Sequence, residues 1–524
     1  MNPRLIGGEM AVWSDLDGRR GPGPTRGSAL VPLLAAATGR TLIAGPHDPA
    51  LIDAAPADDL TLLVRGVPDA EALTARYADR PGVTVCCGGL EKLDHKPPYD
   101  TVVALDGLAR LSSVEGAQLA WEEAFEVLVA ALPPGGTLLL AVENFLGLHR
   151  LVALPSEETD SDWVAVGEHD QTRPAGLARV RDRLGSAGLD VARTYAAYPA
   201  PTAPTALLGA EILADEGLRG FLEATLGAAC RPVENVLTDP GRLAISALRH
   251  GAADELAPAW LMLAQRDGTG PVQRAAGGDL PEAVVATGPE GYDIRWHPAD
   301  GWIRSRHGLA EVEALPRGRT LEDLLIGGCL GRDLSAVREL LRAWQAGPVA
   351  GVPADQVIVA SDGSLAALVP AGEPEAALRD LAATVIGGGF AHPWPAPADE
   401  TDLALTLAAM AGREPDPAAL ATLAVRAGDD GNRPDARSRP DARAFRELAI
   451  ARNRLVRELA EARAKMLWYE QMLTSRENSL KRSQRIIELL SGSGPARAGM
   501  ALVGGIRVAR RTARAVVRRV RPRT

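Results

Sequence analysis

The chain reads as a doubly wound α/β domain, followed by an α+β region and a C-terminal coiled-coil helix. Short β-branched and Leu-rich runs alternate with helical stretches between residues 28 and 215, and their unbroken apolar character marks strands buried on both faces of a mainly parallel sheet. A segment rich in Gly, Asp, Asn, Arg, Pro and Ser then breaks the pattern at 428–443, and a heptad spacing follows it. At 524 residues the chain is also too long for one hydrophobic core.

The elements follow in order. Residues 1–27 are an N-terminal extension without a long apolar run, so neither a signal peptide nor a membrane span is expected. Strands are expected at 41–44, 60–64, 83–86, 101–105 and 137–142. Before the last of these, Pro134 stops a helix and Gly135-Gly136 returns the chain to the sheet without Cβ strain. Residues 216–427 mix helical pieces (321–344 and 403–410) with short extended runs, an α+β region. Within it, 352–370 reads as a hairpin turned by Asp362-Gly363. The linker 428–443 repeats Pro-Asp-Ala-Arg at 434–437 and 440–443.

Residues 444–491 carry the coiled-coil signal. Leu448, Leu455, Leu459, Ala462, Met466, Tyr469, Leu473, Leu480, Ile487 and Leu490 fall on alternating three-and-four spacing, interrupted at Arg452, Arg476 and Ser483. A dimeric coil and a helix docked on the protein's own body both satisfy that pattern; the expectation is a homo-oligomer through 445–490.

Charge divides the chain unevenly. From Ala496 onward there are nine arginines and no acid, so the preceding 495 residues carry −19 against a net −10. In the basic tail, 492–524, Arg507, Arg510, Arg511, Arg514, Arg518 and Arg521 recur at helical spacing, with Val503, Ile506, Val516, Val517 and Val520 largely between them. Such a segment suits an anionic membrane surface, and the expected place is the cytoplasm, at the inner face of the cytoplasmic membrane. Nucleic acid is the weaker rival, because no aromatic residue is interleaved for base stacking; a solvated tail is the plain alternative. Cys86, Cys87, Cys230 and Cys329 show no zinc-ligand spacing, so no metal is expected and a reduced compartment is the simplest setting.

Two stretches narrow the family. Tyr99–Leu108, followed by Ala124–Leu140 with its Leu132-Pro133-Pro134-Gly135-Gly136 turn, resembles the class I S-adenosylmethionine-dependent methyltransferases over about residues 28–215. Ala141-Val142-Glu143-Asn144-Phe145-Leu146-Gly147-Leu148 and the loop Tyr198-Pro199-Ala200-Pro201 resemble a branch found with bacterial cell-surface polysaccharide and glycosyl-transfer functions. The resemblance implies a Rossmann-like fold, S-adenosylmethionine as cofactor and a saccharide or lipid-linked glycan acceptor in cell-envelope polysaccharide biosynthesis. It puts Glu143 and Asn144 at the acceptor, and Gly45, Asp69, Glu91 and Asp106 around the cofactor. His47, His149 and Asp106 are the candidate bases near strand ends.

The sequence departs from the family at three places. Gly45-Pro46-His47-Asp48-Pro49 keeps only the first glycine of the family's glycine-rich loop; Val64-Arg65-Gly66 lacks the acid that holds the ribose; and Gly88-Gly89-Leu90-Glu91 replaces the Gly-Asp that faces adenine. Losing two charge-assisted hydrogen bonds at about 1.5–3 kcal/mol each would weaken cofactor binding by roughly two to four orders of magnitude. The hairpin at 352–370 also resembles one in kinase-like folds, but Gln356 stands near the family's Asn place and Val369-Pro370 where a metal-binding acid belongs. That implies a degenerate, non-phosphorylating remnant; an unrelated hairpin is the alternative. Two functions remain open: a methyltransferase acting on a glycan acceptor, or a catalytically inactive methyltransferase-like scaffold that organises glycan-synthesis machinery through its coiled coil and basic tail.

Overall fold

The computed structural model describes residues 2–19, 22–153, 170–233, 236–267, 280–288, 291–307, 309, 311–394 and 399–414, together with 466, 469, 473, 476, 477 and 480–484. The chain divides into two compact units, Met1–Arg446 and Glu447–Thr524.

The first unit is built on one large sheet. Its parallel part holds β1 (Arg4–Gly7), β2 (Arg40–Ala44), β3 (Asp59–Val64), β4 (Val83–Gly88), β5 (Thr101–Ala104) and β6 (Thr137–Glu143), in the spatial order β1-β4-β3-β2-β5-β6. The five strands expected at 41–44, 60–64, 83–86, 101–105 and 137–142 are β2 to β6, displaced by at most two residues at an end. The chain steps outward from β2 to β3 and β4, then crosses back to β5 and β6, so the strand order reverses between β2 and β5. This is the doubly wound, Rossmann-like order, and its crevice lies at that reversal, beyond the carboxyl ends of the strands.

The sheet does not stop at residue 215. β7 (Leu189–Tyr198) and β8 (Ala206–Gly209) are joined by β9 (Ala259–Arg266), which runs antiparallel between β6 and β7. Strands β10 (Ala283–Val285), β11 (Tyr292–His297), β12 (Gly301–Arg306) and β13 (Val312–Ala314) then extend the sheet as an antiparallel meander. The reason lies in β9: Ala259–Ala264 is wholly buried, and an apolar run of that kind needs a neighbour strand on each edge and a covered face on each side. Residues 4–7 of the N-terminal extension likewise belong to the sheet, as β1.

Successive residues of the central strands feed opposite cores. Leu42, Ala44, Val102, Ala104, Leu138 and Leu140 pack with Phe125 and Leu128 of the helix Trp121–Ala130 and Leu184 of the helix Leu177–Ser186. Ile43, Val103 and Leu139 face Leu30, Leu33, Leu51 and Ile52 on the other side. A third core is separate: β14 (Arg319–Thr320), β15 (Val357–Val359) and β16 (Leu365–Ala367) form a small antiparallel sheet beside the helices Leu321–Gly331, Leu334–Ala346, Pro374–Gly387 and Glu400–Ala411, around Trp344, Leu341, Leu381 and Leu407. The Asp362-Gly363 turn closes β15 onto β16, with Gly363 at φ 83°.

In the second unit, the described residues between 466 and 484 are helical and exposed. The linker 428–443 and the basic tail 492–524 lie outside the described residues. Among the described residues, no helix is long and apolar enough to cross a membrane.

Candidate functional site

The crevice at the strand reversal is roofed by the chain's own N-terminus. After β1 pairs with β4, the Met10 amide donates to the Arg65 carbonyl at 2.9 Å and the Val67 amide to the Met10 carbonyl at 3.1 Å. Farther along, the Thr25 amide donates to the Pro46 carbonyl and the Asp48 amide to the Thr25 carbonyl, both at 2.9 Å. The segment is thus hydrogen-bonded in turn at the carboxyl ends of β4, β3 and β2. It lies so close that a Cβ on Gly66 would run into the Trp13 carbonyl.

Beneath this strap sits a buried ionic network. Arg65 donates to both carboxylate oxygens of Asp15 at 2.8 Å, with both side chains less than a tenth exposed. Asp69 accepts from the Ser14 hydroxyl at 2.5 Å and the Asp15 amide at 2.8 Å. Asp106 accepts from the Thr25 hydroxyl at 2.9 Å and from Arg110 through Nε at 2.8 Å and through Nη2. Burial works to raise all three acids. Hydrogen bonding and charge from Arg65 overcome it at Asp15, which titrates below the usual carboxylate range, whereas Asp69 and the fully enclosed Asp106 stay above it.

His47 completes the cluster. Its Nδ1 lies 3.0 Å from the Gly45 carbonyl oxygen and therefore carries the proton, leaving Nε2 buried without a partner. Burial pushes its pKa down to about 4, with the Arg110 charge acting in the same direction.

The four positions expected around the cofactor are thereby accounted for. Gly45, at φ 95°, ends β2 in a conformation that favours glycine, and the space a Cβ would take is already bounded by Asp106 and Leu111 at 3.4 Å. Asp69 and Asp106 spend their oxygens on the strap and on Arg110. Glu91 is folded back toward Gly89 and Gly116 and accepts from the Ala117 amide at 3.1 Å. The structure brings Gly45 and Asp106 together, while Asp69 and Glu91 face other partners. The oxygens of Asp69 and Asp106 are thus already hydrogen-bonded within the chain, whereas Glu91 Oε2 is buried without a partner.

A second cluster lies at the carboxyl end of β6. Glu143 accepts from His149 Nε2 at 3.0 Å and Arg150 Nε at 2.8 Å, and its backbone carbonyl accepts from Arg173 at 2.5 Å. Burial opposes these partners, yet the His149 and Arg150 hydrogen bonds and the Arg150 charge hold the Glu143 carboxyl down at about 2. The Arg150 and Arg173 guanidiniums stand 4.2 and 3.8 Å from the Phe145 ring centroid. Neighbouring Asn144 turns inward: its amide donates to the Glu255 and Ala257 carbonyls at 2.6 and 2.9 Å, and its oxygen accepts from the Leu146 amide at 3.0 Å. Glu143 and Asn144 are adjacent in sequence, but their side chains do different work, one gathering cations and the other clipping backbone.

Asp15, which pairs with Arg65, and Thr25 and Arg110, which donate to Asp106, carry no motif. The one sequence signal is Arg65 itself, since a guanidinium at the end of a buried strand must have a carboxylate partner. In the small sheet, Gln356 donates to the Ala224 carbonyl at 3.3 Å and the Asp355 carboxylate at 3.2 Å, a structural use of its amide. Among the described residues, no group of three or more His, Cys, Asp and Glu could hold a metal ion.

No family model matches the chain, and no curated protein matches it. Solved structures similar to parts of it include an S-adenosylmethionine-dependent methyltransferase from Mesorhizobium loti (16% identity, 48% of this chain and 100% of that one, TM-score 0.25). Two others are a complex between the Haloferax volcanii Trm112 methyltransferase activator and the putative methyltransferase (18%, 46% and 90%, TM-score 0.26), and the [4+2]-cyclase SpnF (15%, 46% and 80%, TM-score 0.24). With TM-scores below 0.5, these likenesses bear on neither cofactor nor substrate.

Proposed function

We propose that this chain is a methyltransferase-like protein that has given up its cofactor and serves as a non-catalytic scaffold. The strap carries the reading: backbone hydrogen bonds and the Asp15–Arg65 pair tie the N-terminal segment to the ends of β2 and β3, beside the place where an open α/β sheet binds ligands. The inward-turned Asn144 supports it, because a side chain spent on three backbone groups has nothing left to orient an acceptor. The partners that suit such a body are the glycan-synthesis machinery implied by the Glu143-Asn144 element and the Tyr198-Pro199 loop, with the arginine tail at an anionic membrane surface.

Isothermal titration with S-adenosylmethionine tests this. The full chain is expected to give no heat at concentrations where Kd values near ~10 μM would be measured. Tighter binding that is lost in Gly45→Trp sinks the scaffold reading and restores an enzyme acting on a saccharide or lipid-linked acceptor. That second reading keeps one specific support, the Glu143–His149 pair at 3.0 Å, a histidine held by a carboxylate at a strand end. For the tail, flotation with anionic liposomes is expected to separate the full chain from one ending at Ser493; equal partition excludes a membrane role.

A further inference from the structure

We propose that the carboxyl end of β6 binds a phosphate group, held by Arg173 and supported by the charge of Arg150. Arg173 Nη2 donates to the Glu143 carbonyl at 2.5 Å, and its guanidinium stands 3.8 Å from the Phe145 ring centroid. That carbonyl is the one side-chain hydrogen-bond acceptor Arg173 meets among the described residues, although a guanidinium carries five N–H donors. The two carboxylates nearby are already engaged: Glu143 accepts from His149 and Arg150, and Asp170 from the Thr172 amide and hydroxyl and the Trp121 amide. Arg65, Arg110 and Arg183, by contrast, each meet a carboxylate. Burial pulls the Arg173 pKa below its ordinary value, and the Glu143 charge opposes this without overcoming it. A partly buried cation with no counter-ion of its own calls for an anion from outside the chain.

Phosphate is the anion that suits the cluster. Around the Phe145 ring two guanidiniums stand against the single Glu143 carboxylate. Guanidinium groups present paired donors that match phosphate oxygens, and a tetrahedral group offers oxygens in more than one plane, where a planar carboxylate aligns with one fork. The Phe145 ring already holds both guanidiniums, at 4.2 and 3.8 Å, so little side-chain freedom is lost on binding. The place is also the right one. Open α/β sheets take ligands beyond the carboxyl ends of their strands, and the strap's hydrogen bonds go to the ends of β4, β3 and β2. His149 Nδ1, buried without a partner, is a further atom of this cluster that the chain leaves unanswered. The proposal goes beyond the scaffold reading and holds whether or not S-adenosylmethionine binds.

Its test is isothermal titration of the full chain with inorganic phosphate, uridine diphosphate and acetate at fixed ionic strength. Inorganic phosphate should bind with a Kd near ~1 mM, uridine diphosphate at least as tightly, and acetate at least tenfold more weakly. Arg173→Leu should weaken phosphate at least tenfold. Arg173→Lys, which keeps the charge but loses the fork, should weaken it at least threefold, with an unchanged near-ultraviolet circular dichroism showing that this variant keeps its fold. Because the C-terminal arginines also attract phosphate, the affinity lost in these two variants is the quantity that measures the site. The same titrations identify the source. Uridine diphosphate tenfold tighter than phosphate assigns the group to a nucleotide; equal affinities assign it to a lipid headgroup if Arg173→Leu halves flotation with phosphatidylglycerol vesicles, and to free phosphate if it does not. No saturable heat with either phosphate compound, affinities unchanged in both Arg173→Leu and Arg173→Lys, or acetate bound as tightly as phosphate each overturns the proposal.

Discussion

The carboxyl ends of β3 and β5 and that of β6 belong to the same sheet and carry similar side chains, yet they are finished differently. Beyond β3 and β5, arginines and aspartates are paired with one another under a strap whose backbone is itself bonded to the strand ends. At β6, a glutamate gathers His149 and Arg150, two guanidiniums flank Phe145, and the Glu143 side chain remains about a third exposed. Ion pairs out of water are costly to make and costlier to break, so the first arrangement holds the strap to the strand ends. The second is screened by solvent and can still meet another molecule. The difference teaches that charge at a strand end does not by itself make a site; what matters is whether the chain has already answered it.

The largest expected effect falls on the closed end. Asp15→Ala leaves Arg65 buried with the Ser112 carbonyl but no carboxylate and should lower stability by about 3–5 kcal/mol in urea unfolding, whereas Asp15→Leu with Arg65→Met should recover most of that loss. A loss near that of a surface pair, below about 1 kcal/mol, would mean that the strap is loose and the contrast between the two ends false. At the open end, Asn144→Ala strips partners from two carbonyls and one amide and should cost about 2 kcal/mol by thermal melting. A neutral result would free Asn144 for a role outside the fold.

His47 gives an effect of similar size that depends on pH. Its folded-state pKa of about 4 lies below the ordinary 6.5, so acidification protonates the unfolded chain first. The stability it contributes is fully present above pH 6.5 and is lost as pH falls toward 4, by about 2 kcal/mol between pH 7 and 5. The slope of urea stability against pH over that range should flatten in His47→Gln; an unchanged slope would show that water reaches the ring. The smallest effect is Phe145→Leu, about 1 kcal/mol from two partly screened cation–π contacts, and it should shrink further in 1 M salt.

The strands were legible from residues alone because an apolar run covered on both faces tolerates little else. The Pro134 and Gly135-Gly136 turn was legible because few residues make it. The same run in β9 was not placed, since nothing local in Ala259–Ala264 says that it enters between β6 and β7 from a distant stretch of chain. The partners of Arg65 and Asp106 could not be read either. Asp15 meets Arg65 across fifty residues and Thr25 meets Asp106 across eighty-one, and a pairing of that range leaves no periodicity to read. Sequence determined the parallel sheet and the turn into β6, both matters of near neighbours and repeating faces. Only the tertiary structure decided which groups Arg65 and Asp106 meet, because a buried charge names its need for a partner and not the partner's address.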